Sequence, residues 1–161
     1  MRFLLIIFIA VVVTVAYSCT SDETRWEKIK QTGNIYPRDT IIAYNSFVDG
    51  SAERRWVNKS YKTYQYKKYC EHFVETRFEL SNSKVKGFLF FDSLGLAKLL
   101  RDHFRKKGVT HFVAQILTKD ELIVYLYHED NMNPIGTVSD FIVPNIGTIK
   151  SDPDWKEYSR L

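Results

Sequence analysis

The 161-residue chain has a globular composition, with 45% hydrophobic residues and only seven Gly and four Pro, which excludes a disordered or collagen-like protein. Its formal net charge of +4 is too small to indicate nucleic acid binding by itself. Two cysteines exclude a scaffold held by several disulfides, so stability must come from a packed core. An aromatic share of 15% favours a β-rich domain.

The N-terminus has the layout of an export signal. Arg2 precedes an uncharged, mostly apolar run over residues 3–19, and small side chains stand just before Cys19. Three interpretations remain open for this segment. It is a lipoprotein signal with an acylated Cys19, an ordinary secretory signal, or an uncleaved anchor, since about 17 uncharged residues approach the length that spans ~30 Å of hydrocarbon.

The residues before Cys19 resemble the lipobox of bacterial lipoproteins, with Ala16 where Leu is usual. This resemblance implies a signal peptide over residues 1–18 and acylation of Cys19 by diacylglyceryl and palmitoyl chains. Acylation would leave Cys70 without an intrachain disulfide partner, whereas an unmodified Cys19 could pair with it in an oxidising compartment.

Ser21, Asp22 and Glu23 follow the cysteine and resemble the surface-export signal of lipoproteins from the Bacteroidetes group. The resemblance covers residues 1–23 and implies a lipid-anchored protein of the cell envelope, at the outer membrane or cell surface, with secretion as the alternative. The two acids also suit the first turn of a helix, where the helix dipole favours negative charge.

The sequence after the signal predicts a helix, then a segment that fits either a helix or a strand, and then extended structure. Residues 22–31 predict a short helix that ends before Gly33. Residues 37–50 fit either a helix capped by Asp39 or a strand, and we favour the helix. Residues 56–80 are rich in Tyr and Thr and predict extended structure.

The clearest strand lies at residues 74–80, where apolar and charged side chains alternate. This pattern predicts one buried face, formed by Val74, Thr76, Phe78 and Leu80, and one face toward water. A turn at residues 81–83 then leads into a return strand at residues 85–91.

The most regular helix is predicted over residues 93–107. Positive charge in its last turn suits the helix dipole, and Gly108 follows as a C-terminal stop. Its predicted buried stripe consists of Leu96, Leu99, Leu100, His103 and Phe104.

A hairpin follows, with strands at residues 112–117 and 122–128. Residues 138–143 predict one more strand, and residues 152–158 a last short helix that contains Trp155. Tight hairpins force antiparallel pairing, because parallel neighbours need long crossovers.

We therefore predict a single extracytoplasmic domain of the α+β class over residues 19–161. It consists of an antiparallel sheet of about five strands, with the helix at residues 93–107 packed on one face.

Motifs of common enzyme classes are absent from the sequence, which contains no G-x-G-x-x-G, Walker, H-E-x-x-H, Cys-x-x-Cys or G-x-S-x-G pattern. We predict a protein that is not an enzyme and has neither a cofactor nor a metal site. The alternative is a small secreted hydrolase that uses Cys70 and His72, which would need a base positioned to activate the thiol.

The most unusual stretch is residues 54–69, where Lys, Arg and aromatic residues alternate and no acid occurs before Glu71. On a strand, Tyr64, Tyr66 and Lys68 would share a face able to stack sugar rings and hold anionic groups. The alternative is an edge strand whose lysines deter aggregation. The candidate ligand-binding residues are Arg55, Trp56, Lys62, Tyr64, Tyr66, Lys67 and Lys68.

Together these features predict a membrane-tethered extracytoplasmic lipoprotein that acts as a binding module. Its partners would be the membrane, through the lipid anchor, and either a protein or an anionic envelope glycan. Nucleic acid is excluded as a partner, because exported proteins do not normally meet it. A structural subunit of the envelope, which acts through assembly, is the further alternative.

Overall fold

The computed structural model describes residues 21–33, 35–80, 93–106, 108–130 and 146–161. The chain divides into two compact units, Met1–Tyr36 and Pro37–Leu161. Within the described ranges no helix is both long and apolar enough to cross a membrane. The following predictions lie outside those ranges: the signal at residues 1–18, the acylated Cys19, and the strands at residues 85–91 and 138–143.

Helix α1 (Asp22–Gln31) in the first unit confirms the predicted helix. The Ser21 hydroxyl caps it by accepting a hydrogen bond from the backbone N–H of Thr24 at 3.2 Å. Asp22 and Glu23 lie in the first turn, at the positive end of the helix dipole. The helix thus begins three residues after the predicted acylation site.

The described residues of the second unit form a six-stranded antiparallel sheet, with the strand order β1-β2-β4-β5-β3-β6. The strands are β1 (Ile41–Val48), β2 (Ser51–Asn58), β3 (His72–Glu79), β4 (Thr110–Leu117), β5 (Glu121–His128) and β6 (Ile146–Ser151). The helices are α2 (Ser93–Arg105) and α3 (Lys156–Arg160), with two short 3-10 helices at Lys59–Thr63 and Lys67–Tyr69. The α+β class with one main helix is confirmed, and the described residues contribute six strands to the sheet where about five were predicted.

The helix predicted at residues 37–50 is wrong, because β1 and β2 form a hairpin there. Asp49 and Gly50 connect the strands with φ angles of 50° and 77°, both in the left-handed region. A two-residue loop of this kind matches the twist of the flanking strands and favours Asp-Gly strongly. This dipeptide is the local signal that identifies the hairpin, and it outweighs the ambiguous spacing of the isoleucines.

The extended structure predicted for residues 56–80 is confirmed only at its two ends, in β2 and β3. Between them the two 3-10 helices turn the chain. The predicted alternation on β3 is correct, since Val74, Thr76, Phe78 and Leu80 are buried.

Helix α2 packs on one face of the sheet, as predicted, but its buried stripe differs from the expected one. Ala97, Leu100 and Phe104 are buried against the apolar side chains of that face. Leu99 was predicted to be buried, yet it is 64% exposed. Successive helical residues are rotated by about 100°, so a stripe through residues 97, 100 and 104 turns residue 99 away from the sheet.

Strands β4 and β5 confirm the predicted hairpin and form the centre of the sheet. Every residue of β4, and every residue of β5 after Glu121, is buried. Side chains from the C-terminal residues cover part of the face opposite α2, where the Trp155 and Tyr127 rings stack at 3.8 Å between centroids. The C-terminal helix begins later than predicted, and Trp155 directly precedes it in a left-handed conformation, with a φ of 56°.

Candidate binding surface

Residues 59–69, which we call the basic segment, are irregular and begin where Asn58 ends β2. The Asn58 side-chain oxygen accepts hydrogen bonds from the backbone N–H and the hydroxyl of Ser60, at 3.3 and 2.7 Å. Its amide nitrogen donates to Asp39 at 2.8 Å. Asp39, predicted to cap a helix, instead links Asn58 to α2 through ion pairs with Arg101 and Arg105.

Two buried tyrosines fix the basic segment to the sheet from beneath. The Tyr64 hydroxyl lies 3.1 Å from Nε2 of His111, and the Tyr61 hydroxyl lies 3.3 Å from Nδ1 of the same imidazole. His111 is fully buried on β4. Burial, with a smaller contribution from the positive charge of Arg105, lowers the pKa of His111 to about 3, so the ring is neutral at pH 7.

The C-terminal residues hold the basic segment at both of its ends. At one end, the Tyr158 hydroxyl donates to the backbone carbonyl of Asn58 at 2.8 Å. At the other end, Nε1 of Trp155 donates to the backbone carbonyl of Cys70 at 2.8 Å. All four residues are buried, so these hydrogen bonds are shielded from competition with water.

Asp152 in turn positions the residues that make these contacts. Its carboxylate accepts hydrogen bonds from the Tyr127 hydroxyl at 2.5 Å and from the backbone N–H groups of Lys156 and Glu157 at 2.8 and 2.9 Å. Burial alone would raise the pKa of Asp152, but these three hydrogen bonds outweigh it and lower the pKa. Asp152 thus stabilises the start of α3 as a charged cap.

The lysines of the basic segment lie on its outer side. Lys59, Lys62 and Lys68 are exposed, whereas Lys67 is half-buried. The Lys67 ammonium lies 5.7 Å from the Trp155 ring centroid and 3.4 Å from the backbone carbonyl of Lys62, to which it donates. Lys67 therefore contributes to packing as well as to charge.

The structure divides the predicted binding residues into two groups. Lys62, Tyr64, Tyr66, Lys67 and Lys68 lie in the basic segment, whereas Arg55 and Trp56 lie on β2. The strand face predicted to be shared by Tyr64, Tyr66 and Lys68 is wrong, because this segment is not a strand.

Several of the predicted binding residues do not face solvent. Trp56 is 2% exposed and belongs to the core, and Tyr64 is 9% exposed against His111. Arg55 forms an ion pair with Glu53 at 2.7 Å. The groups presented outward are the lysines and the half-buried ring of Tyr66.

A second surface feature lies on β1, which sequence reasoning missed because it assigned a helix there. Phe47 is 80% exposed, and Ile42, Val48 and Tyr44 are 47%, 40% and 37% exposed. A depression of about 340 Å³ lies beside them, lined by Ala43, Tyr44, Asn45, Arg54 and Trp56. This exposure leaves an apolar strand in contact with water.

The residues of the hydrolase alternative lie at the start of β3. Cys70 is fully buried, and His72 is half-buried opposite His128. In the parts of the chain that the structure describes, no three His, Cys, Asp or Glu side chains come together as a metal site. The hydrolase alternative stays a hypothesis. Its nucleophile would be the Cys70 thiol, which is buried in this structure.

No protein-family model, no curated protein and no solved structure matches the chain. The functional argument therefore depends on the geometry of the basic segment and of β1, and on the N-terminal sequence.

Proposed function

We propose that this protein is a membrane-tethered extracytoplasmic lipoprotein that acts as a binding module for an anionic glycan of the cell envelope. The basic segment is its ligand-contacting surface. The observation that carries the proposal is that this segment is held at both ends and from beneath by buried hydrogen bonds, while three of its four lysines, Lys59, Lys62 and Lys68, are exposed.

Such anchoring favours binding because it reduces the entropy lost when a ligand orders the loop. Tyr61 and Tyr64 supply the fixed base, and Tyr158 and Trp155 hold the two ends. Loops fixed on a rigid sheet are a common place for binding residues.

The positive charge of the basic segment favours an anionic ligand. The basic segment contains four Lys and no acid, so its local field attracts anions. The half-buried Tyr66 ring beside the lysines offers a surface on which a sugar ring can stack. A polyanionic polysaccharide combines both features.

The tether follows from the resemblance of residues 1–23 to lipoprotein signals. Burying acyl chains contributes about 0.8 kcal/mol per CH₂, so two or more chains on Cys19 would hold the protein durably at a membrane. An anchored module meets envelope polymers at high local concentration, which makes modest affinity sufficient.

The test uses the full-length protein extracted from membranes in detergent, with dextran sulfate as the polyanionic probe and neutral dextran as the uncharged control. We expect Lys62→Gln/Lys68→Gln to weaken dextran sulfate binding about tenfold, because two exposed charges are removed from the contact surface. Binding should also weaken as salt is raised. Isothermal titration calorimetry measures both effects.

The matched control is Lys119→Gln/Lys156→Gln, which removes the same charge from two lysines that are each 72% exposed elsewhere. It should retain the wild-type affinity within about twofold. Equal losses in the two double variants would show that only net charge matters. Unchanged binding in Lys62→Gln/Lys68→Gln would remove the basic segment from the proposal.

A further inference from the structure

The exposed strand β1 differs from an ordinary edge strand in having no charge. All eight of its residues, from Ile41 to Val48, are uncharged, and six of them are exposed. Edge strands usually carry lysine, proline or a bulge, which prevents pairing with other chains. Phe47, at 80% exposure, is a large apolar side chain with no such protection.

In the part of the chain that the structure describes, no strand pairs with the outer edge of β1. Among the described strands, β1 is the first in the order and pairs on one side only, with β2. Strand β4 pairs only with residues 54–57 of β2, so the half of the hairpin nearest Asp49 extends past the rest of the sheet. In that half, four residues are exposed (Asn45, Phe47, Val48 and Ala52) and four are half-buried (Ser46, Ser51, Glu53 and Arg54).

The backbone groups that point outward can be assigned from the hairpin register. The N–H of Lys59 donates to the carbonyl of Thr40 at 2.8 Å. Hydrogen-bonded and non-bonded pairs alternate along an antiparallel ladder. The residues whose N–H and C=O groups point away from β2 are therefore Ile41, Ala43, Asn45 and Phe47.

We propose that β1 is a homodimer interface, on which β1 of a second copy pairs antiparallel to form one continuous sheet. The two-fold axis passes between Tyr44 of one copy and Tyr44 of the second copy, which lie opposite each other. This register sets Ala43 opposite Asn45 and Ile41 opposite Phe47. It is the one antiparallel register in which all four outward-pointing residues pair with one another.

Side-chain complementarity supports a second copy as the occupant. In the proposed register, the exposed Phe47 ring packs beside Ile41 of the other chain, an aromatic and β-branched pair of the kind that stabilises sheets. Self-pairing of a charged strand would set like charges near each other, and β1 avoids this because it has none. Each contact occurs twice, as two-fold symmetry requires.

The opposite edge of the sheet does not share these properties. Strand β6, at the other end of the strand order, is shorter and contains Gly147 and Lys150. The ammonium of Lys150 lies 2.8 Å from the carboxylate of Glu157. A glycine weakens a strand, and a lysine on an edge strand deters pairing with a second chain. Self-association is therefore expected at β1 and not at β6.

Sedimentation in a density-matched detergent measures the oligomeric state of the full-length protein. We expect wild type to dimerise at micromolar concentration, and Phe47→Lys to raise the dissociation constant at least about tenfold, since two lysines would flank the new interface. Thr148→Lys places the same charge on the exposed edge of β6 and should leave the dimer intact. A monomeric wild type, or a Phe47→Lys variant that dimerises equally well, would overturn the proposal.

Asn45→Pro provides a second variant that alters the backbone only at the outward edge. Residue 45 directs its N–H away from β2, so proline there removes an intermolecular hydrogen bond and no backbone β1–β2 bond. It also removes the exposed side-chain hydrogen bond that Arg54 donates to the Asn45 amide oxygen at 3.3 Å. A folded monomer, verified by circular dichroism, supports the interface. A folded dimer contradicts it.

Cysteine substitution tests the register itself. Residue 44 faces its own copy in a non-bonded pair, with Cα atoms about 4.5 Å apart, which a disulfide can bridge. Tyr44→Cys should therefore form a disulfide-linked dimer under mild oxidation. Ile42→Cys should not form a linked dimer, because its two copies would lie about 13 Å apart along the strands. The double variant Ile42→Cys/Ser46→Cys should form one, because this register sets residue 42 opposite residue 46 of the second copy. Efficient linking of Ile42→Cys alone would exclude this register.

Discussion

His111 shows at the residue scale how a single buried group organises the candidate surface. Its two ring nitrogens lie within hydrogen-bonding distance of the hydroxyls of Tyr61 and Tyr64, and the imidazole is fully buried. A neutral imidazole donates from one nitrogen and accepts at the other, which suits two hydroxyl partners. Protonation would place an uncompensated charge in the core beneath the basic segment.

This burial predicts a pH-dependent stability. The pKa of His111 is lowered to about 3 in the folded protein, against about 6.5 for an unfolded histidine. The unfolded state therefore binds the additional proton as pH falls below 6.5, and stability is lost progressively between pH 6.5 and pH 3. We expect a loss of about 2 kcal/mol in the free energy of unfolding from His111 between pH 8 and pH 5, measured by urea denaturation.

Replacement of the imidazole separates this effect from other titrations. His111→Gln should be less stable at pH 8 but lose less stability on acidification than wild type. His72→Gln, which removes a half-buried histidine from β3, is the matched substitution for comparison. If His111→Gln and wild type lose the same stability between pH 8 and pH 5, the buried neutral imidazole is not responsible.

A second residue-scale prediction concerns Asp152, which caps α3 and accepts the Tyr127 hydroxyl. Asp152→Ala leaves the buried Tyr127 hydroxyl and two partly buried backbone N–H groups without this acceptor, and should lower the free energy of unfolding by about 2–4 kcal/mol. Asp154→Ala is the control, because its carboxylate is 72% exposed in a surface ion pair and should matter by less than about 1 kcal/mol. Similar effects from the two substitutions, measured by denaturant titration, would contradict the role of Asp152.

At the scale of the element, α2 offers a direct comparison between two adjacent leucines. Leu100 is 2% exposed in the core, whereas Leu99 is 64% exposed. Leu100→Ala should therefore destabilise the protein by about 2–5 kcal/mol through lost burial and a cavity. Leu99→Ala should change stability by less than about 0.5 kcal/mol, as is usual for a surface position. A larger loss for Leu99→Ala would mean that the stripe predicted from sequence is correct after all.

The elements also show what local patterns can and cannot predict. Strand β3 and the β4–β5 hairpin were predicted because alternation and apolar runs are local properties. Strand β1 was predicted as a helix, since its isoleucines, Tyr44 and Phe47 fit both periods. The Asp49-Gly50 loop resolves this ambiguity, as both residues adopt the positive φ that a two-residue hairpin requires.

At the scale of the whole molecule, the proposed function requires a lipid anchor. Cys19→Ser should abolish acylation, so that the protein loses its acyl mass and leaves the membrane fraction or accumulates with its signal uncleaved. Cys70→Ser is the control, because Cys70 is buried within the domain and should not affect the anchor. Intact mass spectrometry of membrane and soluble fractions measures both variants. A native protein without acyl chains would contradict the tether.

The sequence by itself was sufficient for the α+β class, for the main helix and for the central hairpin, since each depends on periodicity within some ten residues. It also selected the lysines at residues 62, 67 and 68 as binding candidates. Only the tertiary structure decided how these lysines are presented, because the hydrogen bonds that hold the basic segment join residues far apart in sequence. Tyr158 is separated from Asn58 by 100 positions, and Trp155 from Cys70 by 85 positions. No local pattern specifies such contacts, and the same reason explains why the partners of His111 emerged only from the fold.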